Sequence, residues 1–299
     1  MEISLFGFDQ TIDGFADSLR RAHADGFRTY WTPQIFGMDA LTGIAVAARE
    51  VPGIRVGTSV IPTYPRHPMM LAQQALTTQA AIDGRLLLGI GLSHQPVVEG
   101  MWGMPFDRPV AHMRDYLEIL TPLLRDRRVS YGGETLTGRG EITPPPADAP
   151  PVLVAALGPQ MLRLAGRLAD GTITWMTGPE TIGELTAPTI NDAADAAGRP
   201  APMVAVGLPV CVTRDVDGAR ARADREFAIY GQLPSYRAML DREGAATPAD
   251  VAIIGTPDEV AERVSALAER GATIFAGSLF GDRDEQEASR EALISLLPA

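Results

Sequence analysis

The 299-residue sequence predicts a single α/β domain folded as a (β/α)8 TIM barrel, with a hairpin-containing insertion after the fourth βα unit. Three observations carry this expectation. Strand-like and helix-like patterns alternate as eight pairs, and strict βα alternation requires a parallel sheet with right-handed crossovers. Eight such units in a chain of this length match the ~250 residues of a closed barrel. The first βα turn, Phe8-Asp9-Gln10-Thr11, lacks the Gly-x-Gly-x-x-Gly fingerprint expected of the rival architecture, an open dinucleotide-binding sheet.

Each element has a local reason. Residues 3–8 alternate apolar and small side chains as a strand does, and residues 12–24 place Phe15, Leu19 and Ala22 at helical spacing before Gly26. Phe27 to Trp31 is the second strand and Asp39 to Val51 the second helix. Ile54 to Ile61 is followed by a proline-studded loop that delays the next helix, His67 to Ile82. Leu86 to Leu92 is apolar throughout, as a strand buried on both faces must be. A helix runs from Pro109 through Leu124. Residues 126–150 break the rhythm as an insertion: a hairpin with Gly132-Gly133 as its turn, then the rigid Pro144-Pro145-Pro146. Alternation resumes with strand 151–157, helix 160–169 and strand 172–176. Glu180 to Ala197 is helical but must bend or break at Pro188. Strand 203–212, a long helical stretch over 215–243, helix 257–270 opened by Thr256 and Pro257, strand 272–276 and helix 284–297 complete the series. The whole of residues 1–299 is read as one domain.

Composition narrows the function. The chain is 45% hydrophobic and 21% charged, ordinary for a globular protein, and no apolar run approaches the ~18 residues of a membrane span. Its net charge of −11 repels phosphate backbones and anionic lipids, so neither nucleic acid nor membrane is an expected partner. Every basic residue other than histidine is arginine; the absence of lysine removes Schiff-base catalysis and the Walker-type phosphate lysine. The lone Cys211 sits in an apolar strand as an inert thiol. Four scattered histidines with no paired spacing give no expectation of a metal. No targeting segment precedes the first strand, which suggests a cytoplasmic protein.

In a barrel, functional groups lie just past the C-terminal ends of the strands. That rule singles out Pro33-Gln34, Ser59 to Pro62, Gly91 to His94, Ala155 to Pro159, Trp175 to Gly178 and Ser278, and three segments among them are informative. Gly57-Thr-Ser-Val-Ile-Pro-Thr-Tyr-Pro-Arg-His-Pro68 is a rigid strand end. Pro151-Val-Leu-Val-Ala-Ala-Leu-Gly-Pro-Gln160 ends a buried strand in small residues and opens a helix, which suits an anion. Gly84-Arg-Leu-Leu-Leu-Gly-Ile-Gly-Leu-Ser-His94 ends in a histidine placed as a lone acid/base, while the absence of a Gly-x-Ser-x-Gly elbow argues against a serine hydrolase. His112, in a helix with Met113 and Tyr116, reads as packing.

In this order, and with Ala169-Asp-Gly171 and Ile254-Gly-Thr-Pro-Asp-Glu-Val260, these segments resemble the luciferase-like monooxygenase superfamily. More narrowly, they resemble its actinobacterial branch that uses the deazaflavin coenzyme F420; the resemblance spans Gly26 to about Phe275. It implies an oxidoreductase that transfers a hydride between deazaflavin C5 and a small organic substrate. It also implies a non-prolyl cis peptide at Ser59-Val60 behind the cofactor ring, with Gly91 and Leu92 close to that ring. The backbone of Ala155, Ala156, Leu157 and Gly158 would lie at the cofactor phosphate, His94 would be catalytic, and Phe8, Gln34 and Trp175 would line the substrate pocket. Relatives carry an acidic residue and a histidine where this chain has Pro33-Gln34, so the proton-handling group must differ or sit elsewhere. The aromatic set Phe6, Phe8, Trp31, Phe36, Trp102 and Trp175 around the mouth suggests a fairly apolar substrate: an alkene, imine or ketone/alcohol. An FMN-dependent monooxygenase served by a separate flavin reductase, and a non-catalytic flavin-binding barrel, are the alternatives. The family habit of pairing through the helices after the second and third strands implies a homodimer.

Overall fold

The computed structural model describes residues 1–298. Its strands are β1 (Glu2–Phe6), β2 (Thr29–Thr32), β3 (Arg55–Thr58), β4 (Ile61–Pro62), β5 (Leu86–Gly91), β6 (Arg128–Gly132), β7 (Thr137–Glu141), β8 (Val152–Val154), β9 (Gly171–Trp175), β10 (Met203–Val212), β11 (Ile253–Gly255) and β12 (Ile274–Leu279). The pairing order β1-β2-β3-β5-β8-β9-β10-β12 closes on itself, entirely in parallel, through β12 against β1. This is the expected eight-stranded TIM barrel. The two-residue β4 resumes the line of β3 beyond Ser59-Val60 and pairs with β5, while β11 extends the sheet only beside the C-terminal half of β10.

Inside the barrel, Phe6, Trp31, Leu87, Leu153, Ile173 and Ile274 form a compact apolar cluster. The Trp31 indole donates to Ser4 Oγ at 3.1 Å, and Ser4 Oγ donates in turn to the Phe275 carbonyl at 2.6 Å. Trp31 therefore belongs to the interior filling and not to the mouth. Gly57 makes room for it, since a Cβ there would lie 2.2 Å from the indole. A larger apolar layer fills the space between strands and helices, to which helix Ile12–Ala24 contributes Phe15, Ala16, Leu19 and Ala22.

Two arginines of the motif segments are structural. Arg85 donates to the carbonyls of Ala48 (2.7 Å), Val51 (3.0 Å) and Ile54 (2.6 Å), closing the C-terminal end of helix Ala40–Glu50. Arg66 binds Gln74 at 2.7 Å and Asp39 at 2.9 Å, and Asp39 is the N-cap of that same helix. His67 caps helix Pro68–Ala81 through Nδ1.

Several elements differ from expectation for identifiable reasons. The ladder of β8 ends at Val154, short of the expected Leu157. Near Pro188 the helical backbone does not break: a π-helical turn over Ile182–Thr186 runs directly into helix Ala187–Ala196, whose second residue is Pro188. The stretch 215–243 divides into helices Val216–Glu226, Ala228–Gln232 and Pro234–Arg242. Leu233 is extended because the following proline disfavours helical backbone there. β11 and the short helices Gln95–Gly100 and Pro248–Val251 had no expectation.

The hairpin of the insertion is present, but Gly132 lies in the strand opposite Thr137 and the turn covers residues 133–136. The cause is Asp115 on helix Pro109–Asp126, whose buried carboxylate the turn wraps. It accepts from Thr135 N (2.7 Å), Thr135 Oγ1 (2.9 Å), Leu136 N (3.3 Å) and the Tyr131 hydroxyl (2.9 Å). Gly133 is required by this approach, because a Cβ there would stand 2.3 Å from the carboxyl carbon. Burial by itself would raise the Asp115 pKa, but the donors from Thr135, Tyr131 and Arg114 outweigh it and bring it down to about 2 from 3.8. The depressed folded-state value means the contribution is complete above about pH 4 and is lost as pH falls towards 2. Asp115→Asn should therefore lower stability by roughly 1–3 kcal/mol at neutral pH and flatten the acid limb of the stability profile between pH 4 and 2. Thermal melts across that range check both effects, and an unchanged acid limb would contradict the assignment.

Candidate active site

The C-terminal ends of the barrel strands form a mouth with two unlike sides. On one side, β3, β4, β5 and β8 bring small residues together. The Ser59-Val60 peptide is cis. Thr58 and Gly89 are zipped by reciprocal bonds, Thr58 Oγ1 donating to Gly89 O (2.8 Å) and accepting from Gly89 N (2.9 Å). Thr63 N donates to Gly91 O, and Ala155 N donates to Ile90 O at 2.8 Å. A Cβ on Gly91 would lie 2.6 Å from Val60 Cγ2 and 3.1 Å from the Ala155 Cβ. Val60, Gly91 and Ala155 thus form one close-packed, shallow patch, beside which Ser59 and the half-buried Leu92 sit.

Next to this patch, Gly158 is the N-cap of helix Pro159–Leu168 and supplies no capping side chain. Pro159 has no N–H, and those of Leu157, Gly158, Gln160 and Met161 have no protein acceptor among the described residues. The space beside Gly158 is open. Orphan donors at a helix start favour an anion through both hydrogen bonding and the helix dipole. Within the expected stretch, Ala155 contributes its methyl and not its N–H, and Ala156 is fully buried.

The other side is aromatic. Phe6 stacks on Trp175 at 5.2 Å and meets Phe8 edge-on at 5.1 Å. Trp175 presents its edge to Tyr230 (6.0 Å), Tyr230 meets Tyr236 (5.1 Å), and Tyr236 meets His94 (5.6 Å). This continuous wall joins Phe8, Trp175 and His94, which are far apart in sequence. Gln34 is not part of it; its side-chain oxygen accepts from Ala40 N at 3.2 Å and so fixes the start of the next helix. Tyr230 and Tyr236 were missed because they lie in the long helical stretch over 215–243 and not at the end of a strand. The available signal was the spacing of Phe227, Tyr230 and Tyr236 within it.

His94 follows Ser93, which has left-handed backbone (φ 63°), and it precedes helix Gln95–Gly100 without capping it. Burial lowers its pKa, favouring the neutral imidazole, and no protein group hydrogen-bonds its ring among the described residues. Glu99, by contrast, is occupied by Gln95 (3.0 Å) and Phe106 N (3.3 Å). His112 is a packing residue: it stacks on Tyr64 at 4.1 Å, bonds Thr63 Oγ1 at 3.1 Å, and burial brings its pKa down to about 4. Burial likewise pushes the Cys211 thiol up to about 11. Among the described residues no His/Cys/Asp/Glu group could hold a metal ion, and no helix is long and apolar enough to cross a membrane.

A barrel mouth with a shallow small-residue patch, adjoining open backbone donors and an aromatic wall suits a flat, phosphate-bearing cofactor. The family model described as luciferase-like monooxygenase matches residues 7–273. The chain belongs to that family. It is accordingly an oxidoreductase of the luciferase-like type. It is 26% identical over 295 residues to the 5,10-methylenetetrahydromethanopterin reductase of Methanolobus tindarius, covering 89% of this chain and 90% of that one. The fold is shared with an F420-dependent secondary alcohol dehydrogenase solved with an F420-acetone adduct (TM-score 0.83, 19% identity, 100% and 99% of the two chains). It is shared equally with the EDTA monooxygenase of Chelativorans sp. BNC1 (TM-score 0.82, 16% identity, 99% and 93%). The barrel therefore accommodates both reductases and monooxygenases, and the site must decide between them.

Proposed function

We propose that this luciferase-like protein is a coenzyme F420-dependent oxidoreductase that acts on a small, fairly apolar organic substrate. The observation that carries the reading is the patch of Val60, Gly91 and Ala155 with the open donors of residues 157–161 beside it. A flat ring fits against the first and a phosphate against the second, and the sequence likeness, 32% over 188 residues, to a Mycobacterium tuberculosis protein described as a putative coenzyme F420-dependent oxidoreductase favours the deazaflavin over FMN. When bound, the deazaflavin supplies a carbon that accepts or releases a hydride. The protein's own contribution is alignment and exclusion of water. Ser59 and Leu92 flank the ring position, and Phe6, Phe8 and Trp175 cover the substrate side with apolar surface. With Pro33-Gln34 offering no acid or base, the imidazole of His94 is the group that takes or returns the accompanying proton.

Exposed apolar side chains at the rim support this substrate class. Phe36 (60% exposed) and Met101 (61% exposed) stand with the exposed Phe8 on the loops after β2, β5 and β1, so an apolar molecule gains contact area on entry. A net charge of −11 makes nucleic acid and anionic membranes poor partners. Val46 and Met70 leave apolar surface on helices Ala40–Glu50 and Pro68–Ala81, which supports pairing of two copies through those helices. Light scattering should then give twice the chain mass.

Paired titration of the protein with F420 and with FMN, following the fluorescence of each cofactor, should show selective quenching of F420. Preference for FMN, with oxygen uptake by the reduced protein, would replace this reading with a monooxygenase. Binding without turnover across donors and acceptors would indicate a non-catalytic flavin-binding barrel. His94→Ala should cut turnover roughly 100-fold or more and leave the F420 titration unchanged; undiminished turnover would remove His94 from catalysis.

A further inference from the structure

The far end of the aromatic wall carries two polar groups of complementary kind. Tyr236 belongs to helix Pro234–Arg242, in the excursion between β10 and β11, and His94 to the loop after β5. Their rings are packing neighbours, 5.6 Å between centroids at 52°, and the two polar groups make no hydrogen bond to each other. Neither is hydrogen-bonded to protein among the described residues. Nor are they among the sealed, unpartnered side-chain atoms, which are those of Trp175, Thr181, Thr186, Arg222 and Arg290. Their polar ends are therefore accessible to a ligand.

The position of Tyr236 is built and not incidental. Arg237 beside it bonds Asp241 (2.8 Å) and the carbonyls of Ala245 and Ala246. Met239 and Leu240 are buried beneath the helix. Glu243 just beyond it accepts from Glu180 N (3.3 Å) and Thr181 N (2.6 Å), tying the excursion to the loop after β9. Burial raises the Tyr236 pKa, so the phenol keeps its proton and donates, while burial keeps His94 neutral with one ring nitrogen free to accept.

We propose that Tyr236 and His94 hold the oxygen of a secondary alcohol or ketone substrate from two sides, the Tyr236 hydroxyl donating to that oxygen and a His94 ring nitrogen accepting from the alcohol O–H. This rests on the oxidoreductase reading above and narrows its substrate class. A ketone oxygen only accepts, and the alcohol oxygen both accepts and donates. One fixed donor facing one fixed acceptor matches that couple, whereas an isolated alkene uses neither. The apolar part of the substrate then lies along Tyr230, Trp175 and Phe6.

The test compares cyclohexanol with methylcyclohexane, two probes of similar size that differ in the hydroxyl, by titrating the F420-loaded protein and following tryptophan fluorescence. Wild-type protein should bind cyclohexanol more tightly. Tyr236→Phe and His94→Gln should each weaken cyclohexanol binding roughly three- to tenfold while leaving methylcyclohexane, the F420 titration and the melting temperature unchanged. Equal effects on both probes would reduce Tyr236 to packing and overturn the proposal. So would a wild-type protein without preference for the alcohol. Failure to bind F420 is a separate result that bears on the functional reading, since the two probes can then be compared on the FMN-loaded protein.

Discussion

Glu2 to Phe6 runs beside Ile274 to Ser278 in unbroken parallel register, and that pairing of the first barrel strand with the last closes the sheet. Without it, β1 and β12 would present edges and the strand ends would lie in a row. With it, the ends of strands that are distant in sequence converge on one circular mouth. Val60, Gly91 and Ala155 come within contact only because β4, β5 and β8 are neighbours in that circle. The same closure fixes what must fill the barrel, since a parallel barrel of eight strands has room for side chains and none for solvent.

The filling is uneven, and the unevenness shapes the site. Phe6, Trp31 and Trp175 place aromatic bulk on one part of the interior and mouth, while Gly91 keeps the neighbouring strand ends free of bulk. Trp31 can occupy the interior only because Gly57 has no Cβ and Ser4 accepts its indole N–H. A barrel with average side chains at all these positions would have a flat, closed top. Here bulk and absence of bulk are segregated, which leaves a shallow patch facing an aromatic wall.

Parts of the chain outside the barrel strands complete that wall. The excursion after β10 carries Tyr230 and Tyr236 over the mouth, and Glu243 fastens it to the loop after β9. On the other flank, the insertion after the fourth unit is fastened by one buried carboxylate, Asp115. Both attachments use carboxylates to satisfy backbone N–H donors that would otherwise be left unpaired, beside apolar contacts such as those of Leu136 and Leu240.

The sequence by itself determined the barrel. Hydrophobic periodicity and turn chemistry are local properties, so the alternation of strands and helices, the insertion at 126–150, the Thr256-Pro257 helix start and the small-residue segments at Gly57–Pro62, Leu88–Gly91 and Ala155–Pro159 were legible directly. Finer breaks were not. The turn at 133–136 depends on Asp115, a distant residue, and the shortened end of β8 is a matter of ladder pairing. The site was legible only in part, because a side chain's position along a strand does not reveal what crosses above it. Trp175 and His94 could be nominated by the strand-end rule and Phe8 by the aromatic set, but only the folded chain joins them through Tyr230 and Tyr236, and only there is Gln34 seen to bond Ala40 N. Periodicity encodes which face of an element is buried; the meeting of faces from elements more than a hundred residues apart is set by barrel closure and side-chain packing, which no local window contains.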